Sequence, residues 1–254
     1  MTITGVPTLN PAGFTNAAPG SFGARVPTMW PPQYYSWFSD FDRFDARVVG
    51  TGLGEWLKTV VEAGAGDSTA VVSDAFGGVL LITTAGNEDD GVMVQWQGNN
   101  ATSDVAETFK FTAGKELFFA GRFQMSDVTQ SDFIMGLAVA DTTPLDAADG
   151  VFFIKPDASA VLSLTSVATG PLTATDTLAT LVAATWYEFG FHYNGVDAIN
   201  AYQGGNSDGT WNFVGSVGIS ALPATELAIT FGFQNGEAAA KTCSIDWISV
   251  TAER

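Results

Sequence analysis

The feature that most constrains this chain is a series of short segments in which every second residue is apolar, separated by turn residues. The clearest is WYEFGFHYNG, residues 186–195. Its aromatic residues at alternate positions share one face of a strand: Tyr187, Phe189, Phe191 and Tyr193. Such a face is stable only when a second layer removes it from water. The segment predicts a strand of a two-layer structure that turns at Asn194-Gly195 and returns with Tyr202 as a partner for Tyr193.

Strand-like segments of this kind continue along most of the chain. Those predicted as strands are 77–85, 91–98, 115–125, 132–140, 150–155, 160–168, 185–194, 197–203, 225–235 and 242–252. The residues 155–159, KPDAS, are typical of a tight turn between two of them. Long stretches of Ala, Leu, Glu and Lys at helical spacing are missing, and only 15% of residues are charged. The pattern indicates an all-β fold of antiparallel sheets packed as a sandwich.

The first 38 residues differ from the rest of the chain. They contain six of its ten prolines, and proline-rich sequence favours extended conformations without regular ladder hydrogen bonds. We therefore predict an extended N-terminal arm, 1–38, followed by one β-sandwich domain, 39–254. The aromatic residues expected to anchor the arm to a partner are Phe14, Phe22, Trp30, Tyr34, Tyr35 and Trp37. The alternative is an arm that covers an edge of its own sandwich.

Charge and composition restrict the partners. Ten Lys and Arg residues against 27 Asp and Glu give a net charge of −17, and the cations are scattered, so nucleic acid is not an expected partner. No apolar stretch approaches the roughly 18 residues of a membrane span, and the basic start of an export signal is missing. We expect a protein made in a cytoplasm that does not bind membranes. The single cysteine, Cys243, excludes an intramolecular disulfide and is predicted to be a small core residue.

Few residues suggest catalysis. His192, the only histidine, is predicted to be a structural residue on the more polar face of its strand beside Glu188, because no second ligand or base accompanies it. Glu116 and Glu188 lie in predicted strands and are candidate carboxylates for a glycosidase, although isolated strand glutamates are usually surface residues. We expect no enzyme activity, no metal and no cofactor.

Three segments carry a resemblance in fold: ATWYEFGFHYNG, DTTPLDAADGVFFIK and IDWISVTAER. They resemble the concanavalin A-like jelly roll of laminin G modules, legume lectins and laminarinase-type glycoside hydrolases, over about residues 40 to 254. Those hydrolases are expected to show Glu-x-Asp-x-x-Glu on one strand. The nearest match here is Glu88-Asp89-Asp90, followed by Met93, so the motif fails.

A lectin of this fold would need aromatic platforms and polar groups on one face. The candidates for stacking on sugars are Trp96, Trp186 and Trp211. The candidates for an ion are Asp141, Asp146 and Asp149, or Glu88, Asp89 and Asp90, but neither set has the spacing of a dedicated calcium loop.

The sequence as a whole resembles virion proteins of tailed phages, through YYSWFSDFDRFDA, SDFIMGLAVADTTPLDAADGVFFIKPD, ATWYEFGFHYNG and IDWISVTAER. The resemblance implies a capsid decoration or cement protein on the outer head surface that binds the major capsid protein. A homo-oligomer is expected, with a trimer as one candidate, and capsid and tail positions are not distinguished. The alternative function is glycan binding on a virion or tail surface.

Overall fold

The computed structural model describes residues 34–48, 54–64, 66, 68–73, 77–96, 107–170, 172–205 and 209–254. Phe14, Phe22 and Trp30, with the rest of the predicted arm up to residue 33, lie outside these residues. The described part forms two packed sheets. Its helical structure is limited to two 3₁₀ turns, Pro144–Asp146 and Ile219–Ala221. None of its helices is long and apolar enough to cross a bilayer.

The strands, numbered along the chain, are divided equally between the two sheets. Those of the first half are β1 Tyr34–Ser39, β2 Ala46–Val48, β3 Trp56–Val61, β4 Thr69–Ser73, β5 Val79–Thr83, β6 Gly91–Trp96, β7 Leu117–Met125 and β8 Ser131–Ala138. Those of the second half are β9 Gly150–Lys155, β10 Val161–Ala168, β11 Leu172–Thr180, β12 Tyr187–Tyr193, β13 Ala198–Gln203, β14 Asn212–Gly218, β15 Ala228–Asn235 and β16 Thr242–Glu253.

The first sheet has the order β14-β13-β12-β7-β16-β5-β4, with β1 also paired to β16. The second has the order β11-β10-β9-β8-β15-β6-β3-β2. Neighbours are antiparallel except β2 and β3, which are parallel. The predicted antiparallel sandwich is therefore confirmed, and each of the ten predicted strands is present. Six strands were not predicted: β1, β2, β3, β4, β11 and β14.

Aromatic side chains fill the space between the sheets. Phe123 of the first sheet and Phe133 of the second have ring centroids 4.4 Å apart, and Phe119 lies 6.5 Å from Phe153. These rings come from alternate positions of their strands, as the sequence pattern indicates. Cys243 is fully buried in the same core, as predicted, and burial raises the pKa of its thiol.

The long strand β16 organises the first sheet. One of its edges pairs with β7, while the other pairs first with β5, through residues 242–245, and then with β1, through residues 248–253. Residues 34–38 of the predicted arm are thus part of a strand of the sandwich. Tyr35 and Trp37 pack on the core of their own chain, 5.4 Å from Phe109 and 5.3 Å from Trp56 between ring centroids. These two rings point inward and are not free to anchor a neighbour.

Candidate functional site

Aromatic side chains also cluster on the outer surface of the first sheet. Phe118, Ala120 and Tyr202 are nearly inaccessible there, and Trp211 and Trp247 pack against them. We call this cluster, together with the charged residues beside it, the aromatic face. It is formed by β7, β12, β13, β16 and the residues just before β14.

Strand alternation explains how the face is built. On β7, Phe119 and Phe123 point into the core, so Phe118, Ala120 and Arg122 point outward. The neighbouring strand β12 places Glu188 opposite Arg122, and His192 opposite Phe118. Aromatic and charged side chains therefore form successive rows across the same surface.

A bulge in β16 adds two adjacent residues to the face. The pairing with β7 shifts register between Ile245 and Trp247, and Ile245 and Ile248 both remain in the core. A bulge inserts one extra residue and re-aims the side chains around it. Trp247 consequently lies opposite Arg122, and the Asp246 carboxylate accepts a hydrogen bond from the Arg122 guanidinium.

Arg122 is the centre of the charged group on this face. Its Nε lies 3.5 Å from Oε1 of Glu188, and Asp246 binds its Nη1. The guanidinium also lies 4.5 Å from the centroid of the Trp186 ring, a cation–π contact that holds the indole at the surface. All three charged side chains are partly exposed, so their main effect is to orient each other and Trp186.

Trp211 lies close to the carboxylate of the same charged group, beside Gly204. The N–H of Gly204 donates to the Glu188 carbonyl, 2.9 Å away. A Cβ at Gly204 would lie 2.8 Å from the Trp211 ring and 2.9 Å from Oε2 of Glu188. The missing side chain therefore lets the indole and the carboxylate approach each other. Of the three predicted stacking residues, Trp186 and Trp211 both border the Arg122–Glu188 pair.

The third predicted stacking residue is in the core. Trp96 is only 9% exposed and packs between the sheets, with centroid distances of 6.0 Å to Trp37 and 6.3 Å to Phe109. A sugar has no access to a ring enclosed in this way. Trp247, which sequence reasoning missed, takes its place as the third indole of the aromatic face.

His192 has a structural environment. Its ring is fully buried and stacks on Phe118, with centroids 4.2 Å apart and an angle of 5° between the planes. Its Nε2 lies 3.1 Å from Oε1 of Glu116, so its hydrogen-bond partner is Glu116 and not Glu188. The predicted Tyr193–Tyr202 pair is wrong, because Tyr193 lies opposite Ile199 and Tyr202 belongs to the other face.

The candidate carboxylates do not form a catalytic pair. Glu188 lies opposite Arg122, whereas Glu116 immediately precedes β7, six residues earlier. Six strand residues span about 20 Å. A retaining glycosidase needs its two carboxyl groups only about 5 Å apart. Glu116 and Glu188 therefore lie in separate rows of the aromatic face and are too far apart to act as a glycosidase pair.

Several of the acidic side chains suggested for an ion accept hydrogen bonds from the protein itself. Asp141 accepts hydrogen bonds from Thr143, and Asp149 accepts one from the backbone of Thr169. Burial alone would raise the pKa of Asp90, but hydrogen bonds from Ala63 and Asn87 hold it below its ordinary value. Within the described ranges, no three His, Cys, Asp or Glu side chains are grouped to hold a metal ion.

The outer surface of the second sheet has a hollow of about 410 Å³. Leu145, Phe152, Ile154 and Val167 supply its apolar lining, and Thr165 is among its hydroxyl groups. This hollow offers shape and apolar surface, but it lacks the indoles and the paired charges of the aromatic face.

Comparison with known proteins identifies the architecture. No family model matches the chain, and no curated relative is found. The solved structures that share its fold include the following three. A protein of unknown function from Shewanella oneidensis MR-1 is 16% identical, with 89% of both chains covered and a TM-score of 0.58. A β-1,3-1,4-glucanase (lichenase) from a mouse hindgut metagenome is 10% identical, with 85% of this chain and 98% of that chain covered and a TM-score of 0.55.

The third is arcelin-5, a lectin-like defense protein from Phaseolus vulgaris. It is 9% identical, with 87% of this chain and 99% of that chain covered and a TM-score of 0.50. At these identities the similarity shows the fold alone: a lectin-like jelly roll, as the sequence predicted.

Proposed function

We propose that the chain is a non-enzymatic structural protein of a tailed-phage virion. In this proposal it is a decoration or cement protein that binds the major capsid protein on the outer surface of the head. The resemblance of its sequence segments to phage virion proteins supports this class. The observation that carries the proposal is the pairing of β1 with β16, which fixes the end of the proline-rich segment at an edge of the sandwich.

The position of β1 suits a segment that attaches the domain to a partner. Within the described residues β1 pairs only with β16 and has no strand partner on its other edge. Tyr34 lies opposite Glu253, and residues 1–33 therefore join the domain beside the end of β16. A proline-rich segment loses little conformational entropy when it docks, so its aromatic residues are efficient anchors.

The proposed anchors are revised by the structure. Phe14, Phe22, Trp30 and Tyr34 remain candidates, and we add Phe38 in place of Tyr35 and Trp37, which pack on the core of their own chain. Phe38 is 61% exposed on β1, whereas Tyr35 and Trp37, on the opposite face of the strand, are packed on the core. An exposed phenylalanine next to the arm is suited to a contact with another subunit.

The charge distribution agrees with an outward-facing subunit. A net charge of −17, with only ten Lys and Arg residues, is unfavourable for contact with packaged DNA. We propose the major capsid protein and further copies of the same chain as partners, with a trimer as one candidate, and neither nucleic acid nor membrane as a partner.

Co-sedimentation with intact and decoration-stripped phage heads tests the function. We expect binding to stripped heads that saturates at a fixed ratio to capsid subunits. Deletion of residues 1–33 should abolish it, and Phe38→Ser should weaken it. Val182→Ser, at a side chain that is also 61% exposed, is the matched control and should bind normally. Absence of saturable binding by the full chain would exclude the cement role.

A second candidate function is glycan binding at the aromatic face. Trp186 and Trp211 border the Arg122–Glu188 pair, and indole rings beside fixed polar groups are typical of sugar sites. Binding on a glycan array that is lost in Trp186→Ala/Trp211→Ala, but retained in Val182→Ala, would support it. Because Glu116 and Glu188 are so far apart, we expect no release of reducing sugar from the glycans that bind.

A further inference from the structure

A second pocket, away from the Arg122 group of the aromatic face, lies at one end of the sandwich. It measures about 430 Å³, and its lining includes Tyr35, Thr108, Lys110, Thr112, Lys115 and Arg254. It lies near Leu117, at the start of β7, and Arg122 is five residues further along the strand. Five strand residues correspond to about 17 Å. The pocket and the Arg122 group are therefore separate places in the fold.

The local sequence explains why polar groups converge there. Phe109 and Phe111 point into the core, so Thr108, Lys110 and Thr112 project to the other side of the same extended segment. Gly114, with a positive φ of 81°, then turns the chain, and its N–H donates to the Gly195 carbonyl. The turn brings Lys115 to the pocket, which the ends of β1 and β16 complete.

The pocket concentrates positive charge in an acidic protein. Three of the ten cations line it, together with Glu253, and Glu226 lies 2.8 Å from the Lys110 ammonium. Lys115 and Arg254 have no ion-pair partner among the described residues. These two cations are therefore free to pair with the charged group of a bound anion, and at physiological ionic strength charges more than about 8 Å away are largely screened.

The hydroxyl groups and the aromatic ring of the lining determine which anions the pocket can bind. The Tyr35 hydroxyl is hydrogen-bonded to Thr108, and the Arg254 guanidinium lies 5.8 Å from the Tyr35 ring centroid. Thr112 adds another hydroxyl group. The volume is that of a small organic ligand and exceeds the needs of an inorganic ion. We propose that this pocket binds an acidic sugar, with Lys115 and Arg254 holding its carboxylate or sulfate group and the threonine hydroxyls contacting its ring.

Calorimetric titration with digalacturonate, lactose, inorganic sulfate and triglutamate, an acidic ligand without a sugar ring, tests the proposal on the full chain. We expect digalacturonate to bind more tightly than sulfate, and lactose not to bind measurably. Lys115→Ala/Arg254→Ala should weaken digalacturonate binding by about tenfold or more, because it removes two charge-assisted contacts. Arg43→Ala/Lys58→Ala removes the same charge elsewhere and should change the affinity less than about twofold.

The controls separate this site from the others. Circular dichroism of both double variants should match the wild type, because all four substituted side chains are partly or fully exposed. Trp186→Ala/Trp211→Ala should bind digalacturonate normally, so failure of the aromatic face as a glycan site leaves this result unaffected. The proposal is overturned by equal affinity for sulfate and digalacturonate, by tighter binding of triglutamate, or by unchanged binding in Lys115→Ala/Arg254→Ala.

Discussion

The two outer surfaces of the sandwich are built by the same alternation of side chains, but they present different chemistry. The first sheet shows indoles and paired charges around Arg122. The second shows glycines and hydroxyl groups, such as Gly136, Gly232 and Thr165, beside apolar side chains that include one aromatic ring, Phe152. Strand geometry thus provides two equivalent platforms, and the residues at the outward positions determine which of them can bind a ligand.

Glycines illustrate the difference. At Gly136, on the second sheet, a Cβ would lie 2.4 Å from the Phe152 Cα and 2.5 Å from the Val151 carbonyl oxygen, both backbone atoms. At Gly204, just after β13 of the first sheet, the atoms nearest to a Cβ would belong to the side chains of Trp211 and Glu188. The glycine of the second sheet lets backbones approach closely, whereas that of the first makes room for movable side chains.

The largest expected effect comes from Gly136→Ala. Because β8 and β9 would have to separate, we expect the free energy of unfolding to fall by about 3 kcal/mol. Gly204→Ala is the matched change on the other sheet and should lower it by less than about 1 kcal/mol while altering Trp211 fluorescence. Urea denaturation of both variants measures the difference. Equal losses of stability in the two variants would contradict the different roles assigned to Gly136 and Gly204.

Arg122→Leu should have the next largest effect. It leaves Glu188 and Asp246 without their cation, but these groups are partly exposed and water replaces part of the lost interaction. We expect a loss of about 1 kcal/mol and a shift in Trp186 fluorescence. Lys58→Leu, on a strand of the second sheet, has no ion pair among the described residues and should change stability by less than about 0.5 kcal/mol. A larger loss of stability from Lys58→Leu than from Arg122→Leu would contradict the stabilising role assigned to the Arg122 group.

Asp127→Asn tests the connection between the sheets, which runs from β7 to β8. Burial raises the pKa of Asp127, but N–H groups of Gln130 and Thr129 and the Lys241 ammonium hold it well below its ordinary value of 3.8. The stabilisation is therefore complete above pH 3.8 and is lost as the pH falls below it. We expect Asp127→Asn to cost about 1 kcal/mol at neutral pH, after solvent screening. Unfolding curves should converge with the wild type in acid, and a constant difference would contradict this origin.

The smallest effect is expected on the hydroxyl surface. The Thr165 and Thr175 side-chain oxygens lie 3.1 Å apart on neighbouring strands of the second sheet. Thr165→Val keeps the shape and removes this partly exposed hydrogen bond, so we expect a loss of about 0.5 kcal/mol. Glycan binding by the aromatic face should be unchanged. Loss of that binding would show that the second surface takes part in recognition.

The sequence was informative where a strand has one apolar face. β12 was predicted from its alternating rings, but β11, with its threonines and Asp176, and β3, interrupted by Lys58, have weaker patterns and were missed. β6 is buried on both faces, so its sequence does not reveal which way Trp96 points. Trp247 was missed because a bulge breaks the two-residue period next to it. The charged group around Arg122 joins three distant segments and has no local signature.

The pairing of Tyr34 with Glu253 has a consequence for the connectivity of the chain. The first and last of the described strands are hydrogen-bonded neighbours, so a short linker from residue 253 to residue 34 would close this part of the chain into a ring. New termini opened at the 156–159 turn would then preserve every strand pairing. Because these two strands are neighbours, the domain is suited to circular permutation, or to insertion into a surface loop of another protein.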